Sequence, residues 1–131
     1  MTDRHETVLE AAQTHHLAGR LDEAAALCAD ILADEPANAG GHHVLALVRM
    51  GQRRLDEALD HVRRALASEP DNSAFVNSLG LILMARDDDD GAVAAFRRAI
   101  AETPRYVQAQ VNLGRALWRL GRSDEARAVL D

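Results

Sequence analysis

Lysine is missing from this chain, so each of its 15 fully charged basic residues is an arginine. These arginines are interleaved with acidic residues, and the formal net charge is −6 at pH 7. A surface that binds nucleic acid needs clustered basic side chains to contact the phosphates. We therefore expect no nucleic-acid partner.

The chain is also poor in cysteine and in long apolar runs. Cys28 is the only cysteine, which excludes an internal disulfide and a metal site built from several cysteines. The longest apolar candidate, 76–85, is interrupted by Asn77 and Ser78, whereas a membrane-spanning helix needs roughly 20 apolar residues. Residues 1–6 lack the apolar core of a secretion signal. We expect a cytoplasmic protein with no membrane partner.

The histidines do not form a chelating pair within one helix. His15–His16 and His42–His43 are adjacent pairs, and neighbouring helical residues point in different directions, whereas a helical chelate uses side chains one turn apart. Coordination between two helices by His16 and His43 stays geometrically possible. Histidines on the surface or in a groove are the simpler interpretation.

No catalytic arrangement can be assembled from the remaining residues. The acidic run 87–90, followed by Gly91, is interpreted as the capping turn of a helix, because Arg86 would occupy the first ligand position of a calcium loop. Cys28 is expected at a buried position as a structural thiol. The sequence thus predicts a protein that is not an enzyme and that holds no metal and no cofactor.

What the chain does have is a repeat of 34 residues. Aromatic residues are few and alanine and leucine are frequent, a composition that favours helices. Three sets of residues keep the same spacing of 34. They are the prolines Pro36, Pro70 and Pro104, the alanines Ala24, Ala58, Ala92 and Ala126, and the small residues Ala12, Ala46, Gly80 and Gly114.

Each repeated position has a physical reason. The aspartates that precede the repeated alanines lie where a first helical turn favours a negative charge. Proline ends a helix because it donates no backbone hydrogen bond. Asn38 and Asn72, two residues after a proline, are suitable N-caps. A small residue lets two helices approach closely.

The spacing predicts eight helices joined by short connections, so that neighbouring helices are antiparallel. The predicted helices cover residues 4–17, 22–34, 39–51, 56–68, 73–86, 90–102, 107–120 and 124–131.

This helix-turn-helix period, with its small residue, alanine and proline, resembles the tetratricopeptide repeat (TPR). The resemblance covers the chain and implies an all-α fold, a right-handed superhelical stack of antiparallel helix pairs with about 3.5 repeats. It implies a single TPR domain over residues 1–131, with repeats at about 5–38, 39–72 and 73–106 and a partial repeat at 107–131.

The resemblance implies a protein-interaction scaffold without catalytic activity. In this family the first helix of each pair lines a concave groove, which suits an extended or helical peptide. Asn77 and Asn112 would bond the backbone of that peptide, although Met50, Met84 and Trp118 could instead pack against adjacent repeats. By position, the groove residues are His16, His43, Leu47, Met50, Asn77, Leu81, Met84, Asn112, Arg115, Trp118 and Arg119.

Two further expectations come from the incomplete last repeat and from the local sequence of the repeats. The fourth repeat lacks a complete second helix and a polar closing helix, so we expect either that the chain is a fragment of a longer protein or that it forms a homodimer through this uncapped repeat. The segments 19–24 and 112–117 are similar to the N-terminal TPR arrays of bacterial sulfotransferases and glycosyltransferases. The alternative function is therefore a substrate-presenting or oligomerisation module of a larger transferase.

Overall fold

The computed structural model describes residues 2–130, which form eight α-helices and no strand. Each predicted helix is present, with ends within two residues of those predicted, and the all-α fold is confirmed; the predicted last helical residue, Asp131, lies outside the described residues. The helices are α1 (Thr2–Leu17), α2 (Leu21–Asp34), α3 (Ala39–Gly51), α4 (Leu55–Ser68), α5 (Ser73–Ala85), α6 (Asp89–Glu102), α7 (Val107–Arg119) and α8 (Ser123–Leu130).

The turn inside each helix pair has the same geometry in all four repeats. One residue per turn has a positive φ, between 62° and 80°, and these residues are 34 apart: Gly19, Arg53, Asp87 and Gly121. The residue that follows each of them donates its backbone N–H to the carbonyl five residues earlier, at 2.8–2.9 Å. This bond satisfies a carbonyl at the end of the first helix and reverses the chain.

Asparagine caps begin α3 and α5, as predicted. The Asn38 side chain accepts a hydrogen bond from the backbone N–H of Gly41, at 2.8 Å. The Asn72 side chain accepts from the backbone N–H groups of Ala74 and Phe75, at 3.1 and 3.2 Å. Each cap satisfies backbone donors that have no partner within the first helical turn.

The double cap at Asn72 predicts a measurable loss on truncation. Asn72→Ala removes the acceptor of two backbone N–H groups and is expected to lower the free energy of unfolding by about 1 kcal/mol, measured by urea denaturation. Asn72→Asp keeps a carboxylate oxygen at the same place and serves as the matched control. Equal losses in the two variants would contradict a capping role.

The helices form two compact units, Met1–Glu69 and Pro70–Asp131. In the first unit, α3 packs against both α1 and α2. The buried side chains between them form one apolar cluster made of Ala12, Ala24, Cys28, Val44, Leu45 and Val48. The second unit has the same arrangement, because α7 packs against α5 and α6. Its cluster contains Met84, Ala92, Val93, Phe96, Leu113, Ala116, Leu117 and Ala126.

Two of the repeated small residues, Gly80 and Gly114, lie where the two helices of a pair approach each other, as predicted. A Cβ atom added at Gly80 would lie 2.4 Å from Cε1 of the buried Phe96 ring. A Cβ atom added at Gly114 would lie 3.0–3.1 Å from three carbon atoms of Leu130. In both pairs the larger side chain, 16 residues later in sequence, packs on the glycine backbone.

Candidate partner-binding site

An open cleft of about 420 Å³ lies between α5 and α7 in the second unit. The residues that line it belong to the first helices of two successive pairs. They are Asn77, Leu81, Val107, Gln108, Val111 and Asn112. The cleft thus contains three of the residues predicted to bind a partner, Asn77, Leu81 and Asn112.

The two asparagines of this cleft are bonded to each other. Asn112 Nδ2 donates to Asn77 Oδ1 at 3.2 Å, and the two residues are only 9% and 5% exposed. Among residues 2–130, neither side chain has another hydrogen-bond partner. The Asn77 amide N–H₂ and the Asn112 carbonyl oxygen therefore keep a donor and an acceptor at the lining of the cleft.

Three residues of the cleft were missed in the sequence: Val107, Gln108 and Val111. Val107 and Val111 are 65% and 44% exposed, which is high for β-branched apolar side chains. Val111 occupies the position of Asn77 one repeat later, since the two are 34 residues apart. The same period that located the repeat would have identified Val111, whereas Asn112 is one position out of register with Asn77.

Leu81 and Met84 lie in different surroundings. Leu81 is half-buried and lines the cleft. Met84 is 5% exposed and packs in the core of the second unit with Phe96 and Leu117. Because so little of the Met84 side chain reaches the surface, it contributes mainly to the packing of α5, α6 and α7.

The structure places the remaining predicted residues of the second unit in another cleft, between α7 and α8. This largely apolar cleft has a volume of about 450 Å³. It is lined by Gly114, Arg115, Trp118, Arg119, Ala126, Arg127 and Leu130. Arg119 also reaches the start of α6. Its Nη2 lies 2.9 Å from Oδ1 of Asp87, in the turn before α6, and its Nε lies 3.2 Å from Oδ1 of Asp89, the first residue of α6.

Four predicted site residues lie in the first unit: His16, His43, Leu47 and Met50. All four are half-buried. Burial lowers the pKa of His43 to about 4, and the charge of His16 disfavours its protonation further. Burial also lowers the pKa of His16. At neutral pH His16 and His43 are therefore uncharged.

A second pair of histidines lies between α3 and α4 of the same unit. His42 Nε2 donates a hydrogen bond to the Pro36 carbonyl oxygen at 2.8 Å, which places a proton on Nε2. His42 Nδ1 then accepts a hydrogen bond from His61 Nδ1 at 3.1 Å, and the two rings stack with centroids 5.3 Å apart. Burial is the main cause that lowers the pKa of His61, and the His42 charge adds to it.

The described residues contain no group of three or more histidine, cysteine or acidic side chains placed to hold a metal ion. Cys28 is buried, as predicted, and burial raises the pKa of its thiol to about 11. The acidic run forms a capping turn, as predicted, in which the Asp88 side chain accepts from the backbone N–H of Gly91 at 2.9 Å. Among the helices of residues 2–130, none has the length and apolar character needed to cross a bilayer.

Three stretches of the chain match the tetratricopeptide repeat family: residues 6–30, 43–106 and 90–131. The last two together span more than half of the chain. No curated protein matches the chain.

Solved structures of three other proteins have the same fold. The protein pilF of Pseudomonas aeruginosa superimposes with a TM-score of 0.90 at 20% identity, over 98% of this chain and 59% of that chain. A thermophilic TPR protein of Thermus thermophilus gives 0.89 at 23% identity, over 95% of this chain and 70% of that chain. MamA of Desulfovibrio magneticus RS-1 gives 0.83 at 16% identity, over 96% and 71% of the respective chains. These likenesses show the fold.

Proposed function

Because the chain belongs to the tetratricopeptide repeat family, we propose that it is a non-catalytic scaffold that binds a peptide segment of a partner protein. The proposed contact surface is formed by the first helices of the pairs. In the second unit this surface is the cleft between α5 and α7. The observation that carries the proposal is that one cleft combines two exposed valines with the Asn77 N–H₂ group and the Asn112 carbonyl oxygen, which the bond between the two asparagines leaves available.

The chemistry of the cleft fits a peptide. Val107, Val111 and Leu81 offer apolar contacts to side chains of the ligand, and burial of apolar area supplies affinity. The Asn77 amide N–H₂ and the Asn112 carbonyl match the acceptor and the donor of a peptide bond. The contacts to the backbone are independent of the peptide sequence, so specificity depends on the apolar contacts.

The first unit contributes His16, His43, Leu47 and Met50 to the proposal. Their half-buried side chains lie on α1 and α3, the first helices of their pairs. Since burial favours the neutral form of both histidines, they would offer a partner uncharged hydrogen-bonding groups at neutral pH.

A random-peptide display library selected on the whole chain tests the peptide-binding role. Selected peptides are expected to bind the wild-type chain and to lose at least about tenfold in affinity for Val111→Asp, because a carboxylate would replace an apolar contact in the cleft. Calorimetry or fluorescence anisotropy measures the affinities. Val111 is exposed, so the variant is expected to keep its fold.

The matched control is Leu17→Asp. Leu17 is an exposed apolar residue in the first unit that lines none of the clefts described above, so its replacement is expected to leave the affinity unchanged. Selected peptides that bind Val111→Asp as tightly as the wild-type chain would remove the α5–α7 cleft from the proposal.

Other features of the proposal rest on the sequence. We propose that residues 1–131 form one repeat domain, because the period of 34 continues through both compact units. A cytoplasmic location is part of the proposal, since a single buried cysteine requires no oxidising compartment. The role as a module of a larger transferase stays an alternative prediction.

A further inference from the structure

The cleft between α7 and α8 is the repeat equivalent of a surface that is covered inside the second unit. Trp118 and Leu130 line this cleft and are 62% and 57% exposed. One repeat earlier, the equivalent residues are Met84 and Phe96. Both are buried in the core that α5 and α6 form with α7. The same surface is therefore open in one repeat and occupied by a helix in the preceding repeat.

The covered surfaces show what kind of segment fits. In the second unit α7 covers α5 and α6 with Leu113, Ala116 and Leu117. In the first unit α3 covers α1 and α2 with Val44, Leu45 and Val48. Within each set of three, the apolar residues are one, three or four positions apart. Residues with these spacings lie on one face of an α-helix. The occupant of such a surface is an amphipathic helix.

Charge distinguishes the open cleft from the covered surface. Arg115 and Arg127 stand where the preceding repeat has Leu81 and Val93. Both arginines are exposed, and within the described part of the chain neither has an ion-pair or hydrogen-bond partner. Arginine at an interface binds carboxylates through paired hydrogen bonds. An occupant of this cleft therefore gains affinity from acidic side chains beside its apolar stripe.

We propose that the α7–α8 cleft is a second docking site, which binds an amphipathic helix of a partner protein with an apolar stripe flanked by aspartate or glutamate. Trp118 supplies the central apolar contact, and Arg115 and Arg127 pair with the flanking carboxylates. This site is separate from the proposed peptide cleft between α5 and α7, so each can be tested without the other.

A second copy of this chain fits the cleft less well. Contact between two copies of the same cleft would bring arginines against arginines, which disfavours association. The first helix of another copy is no better, because its residues at the positions of Leu113, Ala116 and Leu117 are Ala11, Thr14 and His15. These residues form no apolar stripe of comparable size. An acidic amphipathic helix of another protein can pack its apolar stripe in the cleft and pair its carboxylates with the arginines.

Two synthetic helical peptides test this proposal on the whole chain. Both peptides carry an identical stripe of leucine and alanine, and neither contains tryptophan. The residues that flank the stripe are glutamate in one peptide and lysine in the other. Trp118 is the only tryptophan of the chain, so its emission reports binding directly. The glutamate peptide is expected to shift the emission to shorter wavelength, to bind at least about tenfold tighter than the lysine peptide, and to weaken with added salt.

Charge reversal provides the decisive variant. Arg115→Glu combined with Arg127→Glu is expected to reverse the preference, so that the lysine peptide binds tighter. Arg105→Glu is the matched control, since Arg105 is exposed in the same unit but lies outside the cleft, and it is expected to keep the preference of the wild-type chain. Failure of both peptides to bind, or an unchanged preference in the double variant, would overturn the proposal. A dimer of the wild-type chain that Trp118→Glu dissociates would also overturn it, because a second copy would then occupy the cleft.

Discussion

Gly80→Ala is expected to lower the free energy of unfolding by about 2 kcal/mol, although the same change in an unobstructed helix is stabilising. The added methyl group would lie 2.4–2.7 Å from three ring atoms of Phe96. That ring is 0% exposed and packed in the core of the second unit, so relieving the overlap requires either displacement of the ring against its core neighbours or separation of α5 and α6. Alanine gains about 1 kcal/mol over glycine in helix propensity, and the overlap must exceed this gain for the predicted loss to appear.

A second substitution tests whether Phe96 is the cause of that loss. The second repeat has Ala46 and Val62 at the positions of Gly80 and Phe96, and both are fully buried. Phe96→Val alone is expected to be destabilising, because it leaves a cavity in the core. When combined with Gly80→Ala it recreates the residue pair of the second repeat. The two changes are therefore expected to couple favourably by about 1–3 kcal/mol.

Urea unfolding of the wild-type chain, both single variants and the double variant measures this coupling. Gly51→Ala is the matched control, because Gly51 also lies in a first helix and a Cβ atom there would come no closer than 3.1 Å to the flexible side chain of Leu21. This control is expected to be neutral or stabilising. If the losses for Gly80→Ala and Phe96→Val are additive in the double variant, overlap with the Phe96 ring is not the reason that Gly80→Ala is destabilising.

The Gly80–Phe96 pair shows which features of the helix packing could be predicted from the sequence and which could not. The period of 34 predicted the positions of the helices and the need for a small residue at each crossing. It did not explain why two of the crossings have glycine and two have alanine, because that depends on the side chain facing the small residue from the second helix. Gly80 and Gly114 face Phe96 and Leu130. At the equivalent repeat positions, Ala12 and Ala46 are matched with the smaller Cys28 and Val62, all of which are buried. Close packing across helices is a property of pairs, which a search for repeated single residues does not detect.

The candidate site was predicted less completely than the fold, for two physical reasons. Position on a first helix indicates a face of the helix but not how deeply a side chain is buried, and Met84 turned out to be a core residue. A shift of one residue turns a helical side chain by roughly 100°, so choosing Asn112 left out Val111. Trp118 was assigned to the groove by its repeat position, whereas the structure places it in the cleft between α7 and α8.

Mild acid is expected to destabilise the first unit selectively. All six histidines lie within residues 1–69. The pKa of His43 is about 4 in the folded chain, against 6.5 for an unperturbed histidine. Between these values the unfolded chain binds more protons than the folded chain, so stability present above pH 6.5 is lost as the pH falls towards 4. His16 on α1 and His61 on α4 change stability in the same direction, because the pKa of each is also lowered.

The neighbouring charged groups oppose protonation more than they favour it. His43 faces His16, which repels a second proton charge. His61 is affected by His42, Arg49 and Arg64, all of which disfavour its protonation, and only Asp60 favours it. Exposed carboxylates with lowered pKa, Asp34 and Glu57, lose their stabilising charge only at lower pH. Moderately acidic pH therefore separates the effect of the histidines from that of the carboxylates.

The free energy of unfolding is expected to be about 2 kcal/mol lower at about pH 5 than at neutral pH, with His43 as the largest contributor. Urea unfolding at the two pH values measures the loss, and hydrogen exchange is expected to show it in α1–α4 and not in α5–α8. His43→Gln has no proton to gain and is expected to lose most of the pH dependence, while His15→Gln, the matched control, retains it. If His43→Gln loses as much free energy of unfolding at about pH 5 as the wild-type chain does, burial of His43 is not the cause of that loss. If His43→Gln abolishes the loss of stability at acid pH, the stability of the first unit depends on keeping His43 uncharged between α1 and the helices that pack against it. Partner binding by the first unit then depends on pH through the same residue.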